Sequence, residues 1–289
     1  MYWLALGLLV PGGLGNCLDV LVYTGPGTEF NGDTLHMLKD HLSGYRVRET
    51  NASELGRDAW VQSTALVVIP GGRDLPYIEH LAGKPNQNIV SFVRKGGKYL
   101  GLGAGAYYAS DRIDFEAGTR YEVKGDRPLS FFPGSCKGAA FPGFEYSGDN
   151  GAKAAIIKHL NHTGPMYYKG GGIFVNASSY AGVDVLASFD EVQGTNAAVV
   201  LCEVQHGKAL LASVHPTYRP TPPHQSSTKR WAKKQMPSKS LSTLGSRSLD
   251  CFLPSHFAPT NKVFFTAANP FTSMNQPEMP INKSEQGDF

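Results

Sequence analysis

Short runs of branched apolar residues, each stopped by glycines, alternate along the first part of the chain with segments that repeat at helical spacing. DVLVYTGPG from Asp19, ALVVIPGG from Ala65 and KYLGLGAG from Lys98 are too short for buried helices and too uniformly apolar for half-solvated strands. They predict buried parallel strands. Between the first two, DTLHMLKDHLSG puts Leu35, Leu38 and Leu42 on one face of a helix closing at Gly44, and YRVRE reads as a further strand. Between the second and third, NIVSFVRKGG groups Ile89, Phe92 and Val93, with Asn88 as the expected N-cap and Gly96 as the C-cap. Strand, helix, strand, helix, strand predicts an α/β fold with an open, doubly wound, mostly parallel sheet of the flavodoxin-like type. Ligands of such sheets bind beyond the carboxyl ends of the strands, where these glycine turns lie.

The pattern weakens from Asp111 to Gly172, where FFPGSCKGAAFPGFEY and MYYKGGGIFV are rich in aromatic residues and glycine. Hairpins and loops over one edge of the sheet are expected there. Strands resume at GVDVLASF, AAVVLCEV and KALLASVHP, and the core closes between His215 and Tyr218. One domain spanning 18–218 follows.

Composition divides the chain at the same place. Residues 1–218 carry 18 Lys/Arg and 20 Asp/Glu, and 219–289 carry 9 and 4, so the net +3 is a slightly acidic body joined to a basic tail. A body of that charge argues against a nucleic-acid partner. The segment 219–289 holds 9 of the 19 prolines and many serines, the composition of a disordered tail. Its KRWAKK run, Lys229 to Lys234, reads as solvated surface, a polyanion patch or, in a cytosolic chain, a nuclear signal.

The apolar stretch Tyr2 to Val10, followed by small residues at Gly13 and Gly15, reads as a signal peptide over 1–15, with a plain N-terminal extension as the alternative. It is too short to span a bilayer, and no membrane span is expected. Acceptor sequons at Asn51, Asn161, Asn176 and Asn282 add to the expectation of a secreted glycoprotein, against a cytoplasmic alternative. Cys17, Cys136, Cys202 and Cys251 are widely spaced and form no Cys/His cluster, so neither a metal nor a cofactor is expected.

The turn at Gly101 to Ser110, GLGAGAYYAS, bears the chemistry. A strand running into a tight glycine turn and a helix of small residues is the frame of a nucleophile elbow, which presents one strained residue at its apex. Here the frame is Gly101-Leu102-Gly103-Ala104-Gly105, and the apex Gly103 has no side chain with which to attack. The same letters also fit a dinucleotide fingerprint, Gly101-x-Gly103-x-x-Ala106. Its position after the fourth strand and the lack of an acid about 20 residues on weigh against that reading.

In order and spacing, PGG at Pro70 to Gly72, the elbow, and His215-Pro216-Thr217 resemble a class I glutamine amidotransferase-like domain. More closely, VLVYTGPGT, VVIPGGRDLPY, GGKYLGLGAGAYYAS, FFPGSCKGAAFPGF, YYKGGGIFV and AVVLCEV…GKALLASVHP resemble the N-terminal domain of eukaryotic biotin–protein ligases over about Asp19 to Tyr218. In active amidotransferases, the resemblance implies, a cysteine attacks, a histidine shuttles its proton and a glutamate orients the histidine. Those positions are Gly103, His215 and Thr217 here, so two of the three are changed. Losing a nucleophile typically removes on the order of 10⁶ in rate.

The resemblance leaves a pocket built from Gly71, Gly72, Asp74, Ala104, the Tyr167-Tyr168-Lys169-Gly170 loop and His215, with the elbow helix N-terminus favouring an anion. It implies a non-catalytic domain that binds a small molecule or peptide. Two alternatives stand beside it: a hydrolase or amidotransferase using His215 with an unconventional nucleophile, and a regulatory module acting with a separate biotin ligase. Ligation itself needs a further catalytic domain that 219–289 does not resemble.

Overall fold

A computed structural model describes residues 17–217. The expected leader 1–15, the tail 219–289, Asn282 and Cys251 lie outside the described residues. In chain order the elements are β1 (Asp19–Tyr23), α1 (Asn31–His41), β2 (Arg46–Thr50), α2 (Ala52–Leu55), β3 (Thr64–Ile69), α3 (Asp74–His80), α4 (Lys84–Arg94), β4 (Lys98–Leu102) and α5 (Ala104–Tyr108). Then come β5 (Ser110–Phe115), β6 (Val123–Asp126), β7 (Phe132–Gly138), β8 (Ala152–His159), β9 (His162–Lys169), β10 (Ile173–Phe174), β11 (Val183–Phe189), β12 (Ala197–Val204) and β13 (Gly207–Ala212).

Nine strands form one sheet in the order β2-β1-β3-β4-β13-β12-β11-β8-β9. From β2 to β13 neighbouring strands run parallel, and from β13 to β9 every pairing is antiparallel. The parallel part is doubly wound, as its sequence pattern predicts. Alternate residues of one strand enter different cores: Val20, Val22, Leu66 and Val68 pack with Leu38 and Leu42 of the α1 region. Leu21, Tyr23, Val67 and Ile69 pack with Ile89, Phe92 and Val93 of α4 on the opposite face. Burial on both faces is why these strands read as unbroken apolar runs.

Two expectations are corrected. The middle of the chain holds the expected hairpins, β5–β6 and β8–β9, but not all over one edge of the main sheet: β5, β6, β7 and β10 build a second, four-stranded sheet, ordered β10-β7-β5-β6, and only the β8–β9 hairpin extends the main one. Its β5–β7 pairing is parallel, between strands separated by an intervening hairpin partner, and such non-local pairing leaves no mark in local periodicity. Asn88 is not an N-cap. Helix α4 begins after Gly83 with Pro85 in its first turn, and Asn88 is buried within it, its amide donating to the carbonyls of Leu55 (2.9 Å) and Arg57 (3.2 Å). Gly96 does follow the helix end at positive φ (111°), its N–H donating to Val93 O.

Candidate functional site

The elbow exists as a conformation. Gly103 joins β4 to α5 at φ 51° and ψ −109°, a region that side-chain-bearing residues enter only under strain. Its N–H donates to Ala212 O of β13 at 2.8 Å, and its carbonyl accepts from the N–H groups of Ala106 and Tyr107. The flanking glycines are set by closeness. A Cβ on Gly101 would stand 2.5 Å from Gly105 O, and one on Gly105 would stand 2.0 Å from Ile69 O of β3.

His215, three residues beyond β13, fills the space the elbow leaves. A Cβ built on Gly103 would lie 2.7 Å from His215 Cε1, and one on Gly71 would lie 2.5 Å from the same atom. The ring therefore sits between the PGG turn and the elbow apex. Phe30 and Tyr167 flank it at centroid distances of 5.1 and 5.8 Å, and the backbone N–H of His215 donates to Tyr167 O. Its Nδ1 and Thr217 Oγ1 are both buried without a hydrogen-bond partner among the described residues. Thr217 therefore does not orient the histidine as a glutamate would.

Burial, with the Lys169 ammonium nearby, lowers the His215 pKa to about 4, so the ring is neutral near pH 7. The unfolded chain, with a histidine of ordinary pKa 6.5, takes up the proton first as pH falls. Stability held by the neutral ring is therefore present above pH 6.5 and declines toward pH 4, by on the order of 3 kcal/mol in all. Urea midpoints of wild type and His215→Gln between pH 7 and 4 check this: the wild type should show the steeper decline.

Three contacts fix the PGG turn. Glu29 N–H donates to Gly71 O (2.7 Å), Arg73 N–H to Gly27 O (2.8 Å), and the buried Tyr77 hydroxyl reaches the carbonyls of Pro70 and Gly71. Asp74, opening α3, is paired with Arg127 at 2.7 Å, and both side chains are largely out of water. Desolvation raises the Asp74 carboxyl pKa, and Arg127 opposes that rise.

A cleft opens over these parts. Of the expected pocket residues, Gly72, Gly103, Ala104, Asp74, Gly170 and His215 line it. Gly71 stands behind the His215 ring. Tyr168 is elsewhere: it is fully buried in the main-sheet core, its hydroxyl donating to Gly171 O and accepting from Phe141 N–H. Alternation along β9 is the reason, since with Tyr168 turned inward its neighbour Lys169 reaches the cleft. The elbow helix has only five residues, so its dipole adds little.

Sequence reasoning missed Glu29, Arg73, Tyr107, Phe144 and Tyr146 in the lining. Arg73 directly follows PGG, and the two aromatics lie in the FPGFEY run, so position beside a glycine turn was the one available signal.

None of the described cysteines is among the residues lining the cleft. Cys136 lies in β7, fully buried with its thiol pKa pushed far up. Cys202 is buried in β12 with its pKa pushed up to about 12. Asn51, Asn161 and Asn176 are all exposed, Asn51 as the cap of α2.

Comparisons with known proteins bear on this architecture. The family described as "Biotin-protein ligase, N terminal" matches residues 18–252. A biotin–protein ligase of Schizosaccharomyces pombe is 39% identical over 181 residues, 60% of this chain and 29% of that protein. An uncharacterized protein of Chlamydia muridarum is 34% identical over 164 residues, 56% of this chain and 63% of that one. The matched regions thus span less than two thirds of either relative. A solved glutamine amidotransferase of Thermotoga maritima, 10% identical, aligns over 70% of this chain and 77% of its own with a TM-score of 0.43.

Proposed function

We propose that this chain, which belongs to the biotin-protein ligase N-terminal family, is in its described domain a binding module built on an amidotransferase-like frame and performs no catalysis at the elbow. One observation carries this reading. The His215 ring occupies the space above Gly103 where an attacking side chain would project, 2.7 Å from the position of a Cβ. A shuttle histidine must stand beside a nucleophile, and here it stands in its place.

The electrostatics agree. A general base works best with a pKa near the operating pH, and a ring held near 4 with no acid on Nδ1 is a weak one. What remains serviceable is the cleft, with the N–H groups of Gly72 and Ala104 lacking a backbone acceptor among the described residues.

Incubating the purified chain with glutamine and with simple ester and amide substrates tests the reading. No product above the buffer rate is expected, and His215→Ala should change nothing. Turnover that His215→Ala abolishes would overturn it in favour of an enzyme using His215. Transit through the secretory pathway is part of the same proposal, supported by exposed sequons. Intact mass of the secreted chain should then show loss of the first 15 residues and glycan at Asn51 or Asn161, whereas an unmodified mass places it elsewhere.

A further inference from the structure

We infer that the cleft takes a planar, mainly apolar molecule bearing one carboxylate, held at the mouth by Arg73 and Lys169 with its ring system among Tyr107, Phe144 and Tyr146. This rests on the reading of the cleft as a binding site and adds the class of ligand.

Uncompensated charge is the first argument. Arg73 and Lys169 both line the cleft and converge on Tyr146: the Arg73 guanidinium lies 4.8 Å from its ring centroid, and Lys169 Nζ lies 3.4 Å from its carbonyl and 2.7 Å from that of Gly148. Neither cation has a carboxylate within 4.0 Å among the described residues, although Arg46, Arg48, Arg112, Arg127 and Lys153 all do. Of the two acids in the lining, Asp74 is neutralised by Arg127, and Glu29 alone remains against two cations. The mouth has a surplus positive charge, and a guanidinium beside an ammonium suits a carboxylate.

The walls supply the second argument. Phe144 meets Tyr146 at 4.9 Å and Phe115 at 5.0 Å between centroids, edge to face, and the Tyr107 hydroxyl is tied to Gly170 O at 3.0 Å. Such rings bind a flat apolar body by stacking, and their own packing holds them in position before any ligand arrives. At the inner end the buried, uncharged His215 ring disfavours a second charge. The ligand is therefore anionic at one end only.

Three probes of one shape separate the contributions: 2-naphthoate, 2-naphthamide and 2-naphthylmethylammonium, titrated into the full chain by ligand-observed NMR. Naphthoate should bind about ten-fold more tightly than the amide, and the ammonium most weakly. Arg73→Gln and Lys169→Gln should each bring the naphthoate affinity down toward that of the amide, removing most of that preference, and Tyr146→Ala should weaken all three. Equal binding of the probes, preference for the ammonium, a preference surviving both cation substitutions, or no binding of any probe would overturn the inference. The turnover assay stays independent, since product formation rejects the non-catalytic reading whatever the probes do, and lost selectivity without turnover rejects only the ligand class.

Discussion

Gly105→Ala is expected to lower unfolding stability by about 4 kcal/mol or more, beyond the usual cost of overpacking, because its obstacle is main chain. The added Cβ would stand 2.0 Å from Ile69 O and 2.8 Å from Ile69 C, and β3 is locked on both sides by parallel pairing to β1 and β4. Relief requires α5 to move off the sheet, breaking the Gly105 N–H to Pro70 O bond and shifting the PGG turn. Gly103→Ala is the matched control. Its Cβ meets mainly the His215 side chain rather than main chain, so about 1–3 kcal/mol is expected there from crowding together with positive φ. Urea unfolding at constant pH ranks the two, and a Gly105→Ala midpoint at or above that of Gly103→Ala would show that the elbow is looser than its geometry.

Arg127→Leu is expected to cost about 3–5 kcal/mol near pH 7, the range for stripping one partner from a buried ion pair. Arg127 is 5% exposed, and besides Asp74 it donates to the carbonyls of Gly125 and Asp126. The pair ties α3, at the cleft, to the end of β6 in the second sheet. Without the guanidinium, Asp74 is a desolvated carboxylate whose pKa, already raised, rises further. An acid with a raised folded pKa is destabilising while ionised, so the deficit of the variant should shrink as pH falls through that pKa. Urea midpoints of wild type and Arg127→Leu at pH 7 and pH 5 measure it. A deficit that grows toward pH 5 would mean Asp74 is not the source.

The order of buried strands was legible because parallel strands with both faces covered need apolar residues at every position, as in Val20 to Tyr23 and Leu66 to Ile69. The elbow was legible for a similar reason, since Gly101 and Gly105 are demanded by backbone contact and cannot vary without cost. Asn88 departs from its expected role because a cap and a buried mid-helix amide use the same residue, and its partners at Leu55 and Arg57 lie some thirty positions away. Tyr168 lies in the core and not in the cleft, and a local sequence does not say which face of β9 is inward. The position of Thr217 is legible in the sequence, and only packing shows that its hydroxyl has no hydrogen-bond partner among the described residues.

By itself, then, the sequence determined the doubly wound frame, the glycine turns at its carboxyl edge and the absence of a side chain at Gly103, because each is written in contiguous residues. The tertiary structure alone decided that His215 fills the apex, that Asp74 is spent on Arg127, and that Arg73 and Lys169 meet at Tyr146 with no carboxylate beside them among the described residues. Those facts depend on which distant segments come within a few ångströms, and charge and burial act across that distance whatever the separation along the chain.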